Sequence, residues 1–124
     1  MPPLFAILIL VLCSVATRAD ELLVIKDSEA AQYIGKNVEV CGLVVSVIIS
    51  PLGTAFISFG REYPNQTFSG FIAADSKVAT DQRIATLQGK IIGITGTVGL
   101  REGKPEIEVT SASQIKGTDS QRAQ

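Results

Sequence analysis

Residues 35–44 read GKNVEVCGLV and residues 89–98 read GKIIGITGTV. Both fit G-K-x-[VI]-x-[VI]-x-G-x-V. Alternating Val and Ile over such a run is the period of a half-buried strand. Each copy follows a segment with helical patterning, opens on a Gly that stops the helix, and carries a second Gly (Gly42 or Gly96) inside the strand. A Gly in that position marks a bulge or a sharp bend. A chain that twice lays down a bent strand is built to curl its sheet, because flat strands do not close into a small barrel. Short Gly-Lys and Val/Ile fragments are common in proteins. The agreement at matched positions, in the same helix-before-strand context, argues against coincidence.

The other elements arrange themselves around these two. Asp27 to Gly35 reads as a short helix, with Asp27 or Ser28 capping its start and Ala30, Tyr33 and Ile34 on one face. Asn37 to Ile49 is a long first strand, Thr54 to Phe59 a second after the turn Ser50-Pro51-Leu52-Gly53, and Phe68 to Ala74 a third. A helix capped by Asp75 or Ser76 runs through Val78, Ala79, Ile84 and Leu87, with Thr80 and Thr86 weakening it. Lys90 to Val98 is the fourth strand, with Ile92, Ile94, Gly96 and Val98 on one face. After the turn Arg101-Glu102-Gly103-Lys104 comes a fifth strand, with Ile107 and Val109 inward. Three strands, a helix and two strands make an all-β domain with one or two short helices, a five-stranded OB-fold barrel with the helix between strands 3 and 4. An open α+β sheet is the alternative. Residues 117–124 are polar and are expected to form a disordered tail.

The first 19 residues stand apart. Leu4 to Cys13 is unbroken apolar sequence, too short to span a bilayer, which takes about 20 apolar residues. It ends in small residues, with Ser14-Val15-Ala16 and Thr17-Arg18-Ala19 each offering a small-x-Ala cleavage site. Residues 1–19 are therefore expected to be a signal peptide, and residues 20–116 the folded domain, secreted or periplasmic, with no stable membrane insertion after cleavage. Leu12, before Cys13, is not the small residue that precedes an acylated Cys. Removal of the leader leaves Cys41 as the domain's one cysteine, so no internal disulfide can form. Cys41 reads as a small buried hydrophobe. The whole chain carries 11 basic and 12 acidic residues, which counts against tight, salt-driven nucleic-acid binding.

The runs GKNVEVCGLVVSV, TAFISFGREYPNQTFSGFI, LQGKIIGITGTV and GKPEIEVTSASQI resemble a family of small bacterial OB-fold domains. That family places an F-x-x-FG-x-x-YPN-x-x-F hairpin after its first strand and ends on GKPxIEV…QI. The resemblance covers residues 27–116. It implies a secreted or periplasmic, nucleic-acid-binding-like OB domain. Against that bacterial background, the glycosylation pattern Asn65-Gln66-Thr67 is read as accidental.

OB barrels take ligands on the face of strands 2 and 3 and the loops beside it. Phe56 or Phe59 on the second strand, and Phe68 or Phe71 on the third, offer rings for stacking; alternation lets only one of each pair face outward. The candidate ligand-binding set is Phe59, Arg61, Tyr63, Phe68, Arg101 and Lys104. The plainer alternative is that the aromatics pack the core, that Arg61-Glu62 is a solvated pair, and that Tyr63-Pro64-Asn65 is turn chemistry. Catalysis is unsupported. The chain has no His, and its acids are scattered, although Glu106 and Glu108 share one strand face. The expectation is a binding module without enzyme activity, metal or cofactor. Its partner is single-stranded nucleic acid or an oligosaccharide. The alternative is an envelope protein-interaction module with no nucleic-acid activity.

Overall fold

The computed structural model describes residues 22–117; the expected signal peptide and residues 118–124 of the expected tail lie outside the described residues. The domain is mostly β. The described residues form eight strands: β1 (Val24–Lys26), β2 (Asn37–Ile49), β3 (Ala55–Phe59), β4 (Phe68–Ile72), β5 (Ile91–Thr97), β6 (Gly99–Arg101), β7 (Lys104–Glu108) and β8 (Ile115–Lys116). The five expected strands correspond to β2, β3, β4, β5 and β7. The additional β1, β6 and β8 have two or three residues each, too few to show a period in sequence.

The sheet order is β6-β7-β4-β3-β2-β5-β8, with β1 parallel to β2 off this path. β2 belongs to both halves of the sheet. Asn37–Leu43 pairs antiparallel with β5, and Val44–Ile49 pairs antiparallel with β3. β4 and β7 run parallel, Gly70 opposite Ile107.

The two copies of the repeated pattern are partners. In the β2–β5 ladder Val40 lies opposite Ile94, its counterpart in the other copy, while Val38 meets Gly96 and Gly42 meets Ile92. The ends match as well. The Gly35 N–H donates to the Val98 carbonyl at 2.7 Å, and the Gly89 N–H donates to the Val44 carbonyl at 2.8 Å. Gly35 and Gly89 have φ of 85° and 86°, a left-handed conformation that favours glycine.

The inner glycines act differently from the expected bends. The register shift in β2 falls between Val44 and Ser46, not at Gly42. A Cβ at Gly42 would meet Asp27 Oδ1 at 2.5 Å, and one at Gly96 would meet Ile107 Cγ2 at 2.5 Å. Both are places of close approach, the other reason for Gly in a strand. Gly96 lets β7 lie against β5 where no ladder joins them. The Gln114 side chain bridges that gap, its Nε2 donating to the Thr95 carbonyl at 2.8 Å and the Glu108 carbonyl at 3.1 Å. Its Oε1 accepts from the Thr110 and Ser111 N–H groups at 2.8 and 3.0 Å.

Both expected helices are 3-10 turns. Asp27–Tyr33 is one. Asp27 does not cap it: the Asp27 carboxylate accepts from Thr67 Oγ1, and Glu29 accepts from the Lys26 N–H at 3.0 Å. The second expected helix splits into Lys77–Thr80 and Gln82–Thr86, because Asp81 between them is extended and caps the second through the Arg83 N–H at 2.9 Å. Val78, Ile84 and Leu87 still close the end of the core.

The core holds Ile92, Ile94, Val98, Ile107 and Val109, all inward as the alternation predicts, together with Val38, Val40, Val44, Ile57 and Ile72. At its centre Phe59 and Phe68 meet edge to face, centroids 5.2 Å apart at 61°.

Candidate nucleic-acid interface

The outer face of β3 and β4 carries Phe56 and Phe71, directly opposite in register, their rings 5.2 Å apart and tilted by 50°. Both are half-buried. This corrects the expected set: Phe59 and Phe68 are 0% exposed and belong to the core, so neither can stack on a ligand. Parity carried a signal for the choice. Ala55, Ile57 and Phe59 form one alternating set in β3 and Phe56 and Ser58 the other; in β4, Ser69 and Phe71 stand against Phe68, Gly70 and Ile72. In each strand the set containing a serine lies on the Phe56–Phe71 side of the sheet, although Ser58 and Ser69 are themselves buried there.

Arg101 comes from β6, at the end of a hairpin whose turn residues Glu102 and Gly103 both have positive φ, 53° and 81°. That is the backbone of a two-residue I′ connection. The turn holds the Arg101 guanidinium over the platform, its Cζ 4.1 Å from the Phe71 centroid and 6.0 Å from that of Phe56. The Arg101 Nε donates to Glu106 Oε2 at 2.7 Å. Glu106 lies on the same outer face, opposite Ser69 in register, yet is 8% exposed. Burial pushes its carboxyl above the ordinary value; Arg101 pulls it part of the way back, and Glu108 adds a smaller push upward.

The other side of the site is the connection 60–67. A turn closed by the Asn65 N–H to the Glu62 carbonyl at 2.8 Å contains a cis Tyr63–Pro64 bond. Asn65 does not use the left-handed conformation that Asn tolerates; Glu102 is the one non-glycine residue with positive φ among the described residues. The Tyr63 ring reaches Phe56, centroids 5.9 Å apart, and its hydroxyl donates to Glu102 Oε1 at 3.3 Å. A cleft of about 80 Å³ lies here, lined by Phe56, Tyr63, Pro64, Gln66, Ser69, Arg101, Glu102 and Lys104. Of the expected residues, Tyr63, Arg101 and Lys104 meet at the cleft. Arg61 is exposed and does not line it. Sequence reading missed Gln66 as a site residue. Nothing in its neighbours distinguishes it from an ordinary polar loop residue.

The charges around the cleft balance, with Arg101 and Lys104 against Glu102 and Glu106. Cys41 lies elsewhere, its thiol 3.6 Å from Glu39 Oε2. Burial and the Glu39 carboxylate push that thiol up to about 11. Among the described residues no group of three or more His, Cys, Asp or Glu is placed to hold a metal ion, and no helix is long and apolar enough to cross a membrane.

A bent strand shared by two sheet halves, with the third and fifth main strands parallel, defines an OB-like fold. Two solved structures agree. A chain assigned as an aspartyl-tRNA synthetase from Leishmania major Friedlin aligns with a TM-score of 0.55 at 16% identity, covering 84% of this chain and 22% of that one. OBody AM1L10, solved bound to hen egg-white lysozyme, aligns with a TM-score of 0.50 at 17% identity over 69% of this chain and 81% of that one. An aspartyl-tRNA synthetase from Entamoeba histolytica has a TM-score of 0.49 at 18% identity, over 71% of this chain and 19% of that one. The chain thus spans about a fifth of the synthetase chains it matches. No protein-family model and no curated protein matches the sequence.

Proposed function

We propose that this OB-like domain is a binding module for single-stranded nucleic acid, exported from the cytoplasm and without catalytic activity. The carrying observation is the Phe56–Phe71 pair with Arg101 above it, on the outer face of the two central strands. Bases stack on aromatic rings and on guanidinium planes, and that contact is worth roughly 1–3 kcal/mol per base. The fold likeness to a tRNA-charging enzyme supports the ligand class. Export rests on the apolar run 4–13 and the small-x-Ala sites that follow it. Because the cleft charges balance, stacking supplies most of the affinity and the salt dependence is shallow.

The test is an anisotropy titration of a labelled single-stranded oligonucleotide at low salt. Saturation below about 100 μM is expected, the range that even non-specific binders reach. No binding there overturns the proposal. That outcome would favour a protein-interaction module, the role to which the exposed apolar tip of the β2–β3 hairpin is suited: Ile48, Ile49 and Leu52 are 44%, 53% and 85% exposed.

A further inference from the structure

Arg101 and Glu106 sit at different depths on the outer face of the sheet. The arginine side chain is 45% exposed and the glutamate side chain 10%. A strand arriving at the Phe56–Phe71 pair meets the guanidinium first, with the carboxylate behind it. The bond between the two uses the Nε–H at 2.7 Å. That is one of the five N–H donors of a guanidinium, and the terminal amino groups are the ones that grip a phosphate by paired bonds. Glu106 therefore fixes the cation over Phe71 without taking up its grip. It also cancels the charge. A phosphate drawn to Arg101 is repelled by the carboxylate just beneath, and burial weakens the solvent screening between them.

The charged and titratable groups around Glu106 can be named. Arg101 faces it from β6 and Glu108 follows it on β7, while Glu102, Lys104 and Tyr63 stand at the neighbouring cleft. β4 opposes it with Ser69, which does not ionise. Burial, the largest influence, holds the Glu106 carboxyl above its ordinary value, so it takes up its proton above the usual carboxylate range. A phosphate beside Arg101 disfavours the carboxylate form further. Binding then takes up a proton, and by reciprocity a proton favours binding.

We infer that Glu106 is a positioning residue that also sets the charge of the site: it holds the Arg101 guanidinium over Phe71 and, on gaining a proton, turns the pair from neutral to cationic, so that the domain grips a single strand more tightly in acid than near neutrality. The inference rests on the single-strand reading above.

The test titrates the full chain with labelled (dT)12 over a salt series at about pH 7.5 and about pH 5, the latter just above the ordinary carboxylate range. Thymine gains no proton in that interval, so the oligonucleotide contributes no pH dependence. Wild type binds about threefold or more tighter at the lower pH, and its plot of log affinity against log salt steepens by up to about 0.7, the value of one neutralised phosphate on a single strand. Glu106→Gln keeps an oxygen to accept from Nε and removes the charge. It binds about fivefold tighter than wild type near pH 7.5 at about 50 mM salt, has the steeper slope at both pH values, and responds little to pH. A glutamate that served folding alone would leave slope and pH response at their wild-type values in this variant. The wild-type comparison decides the matter by itself should the variant not fold. Equal wild-type affinities at the two pH values, or a Glu106→Gln variant with the wild-type slope and pH response, overturn the inference while the single-strand reading stands. Failure of (dT)12 to bind at either pH overturns both.

Discussion

Arg101 holds its guanidinium carbon 4.1 Å from the centre of the Phe71 ring while its Nε donates to Glu106 at 2.7 Å. The cation is thus fixed from two sides, by a ring and by a carboxylate. An immobilised guanidinium has already lost the rotamer freedom that binding would otherwise remove.

The two outward phenylalanines and the two inward ones separate binding from folding. Phe71→Ala weakens oligonucleotide binding by about 5- to 150-fold, the equivalent of one lost stacking contact, and the folded domain persists by circular dichroism. Phe59→Ala empties the centre of the core and costs about 3–5 kcal/mol in urea unfolding. Equal loss of stability in the two variants would show that the Phe56–Phe71 face is packing.

Gln114 joins strands that no ladder joins. Gln114→Ala removes its bonds to the Thr95 and Glu108 carbonyls and to the Thr110 and Ser111 N–H groups. A loss of about 1–2 kcal/mol is expected, with faster amide exchange at the β5 and β7 edges. An unchanged unfolding midpoint would show that the Gly96–Ile107 contact closes the gap unaided.

The buried Glu106 carboxyl binds its proton more tightly in the folded state than in the unfolded one. Its contribution to stability is therefore greatest at acid pH and falls as pH rises above the ordinary carboxylate range. Glu106→Gln cannot ionise, so the stability of this variant relative to wild type rises with pH across that window. A difference that shrinks with rising pH would mean that Arg101 outweighs burial.

The Cys41 thiol, held at about 11 by burial and by Glu39, is almost wholly protonated near neutrality. Since the thiolate is the nucleophile, iodoacetamide at pH 8 modifies the folded protein about 100-fold more slowly than the urea-unfolded chain. Comparable rates, followed by mass spectrometry, would place Cys41 in a more polar setting.

Much of the sheet was legible because its signals are local. Alternation in Ile92, Ile94 and Val98, and again in Ile107 and Val109, gives the inward faces of β5 and β7, and the repeated pattern marks the two strands of the main seam. Periodicity does not separate Phe59 from Phe56 or Phe68 from Phe71, because β3 and β4 are apolar on both sides; only Ser58 and Ser69 distinguish the set on the Phe56–Phe71 side. The helices became 3-10 turns because Asp27 is drawn to Thr67, 40 residues away, and Asp81 interrupts the second segment to cap its latter half. No periodicity reports a contact of that range. Gln66 and Gln114 look alike in sequence, two glutamines in polar stretches. One is fully bonded and the other carries an orphaned oxygen, a difference that exists only after folding.

Val40 and Ile94 face each other at the middle of a seam in which residue i of one copy meets j of the other and j meets i. That reciprocity is the rule of an isologous contact between identical subunits. Here it operates inside a single chain, between β2 and β5, and the connection 45–88 keeps the two halves together. Either half is therefore geometrically suited to pair with the opposite half of another molecule, the condition under which strands are exchanged between copies.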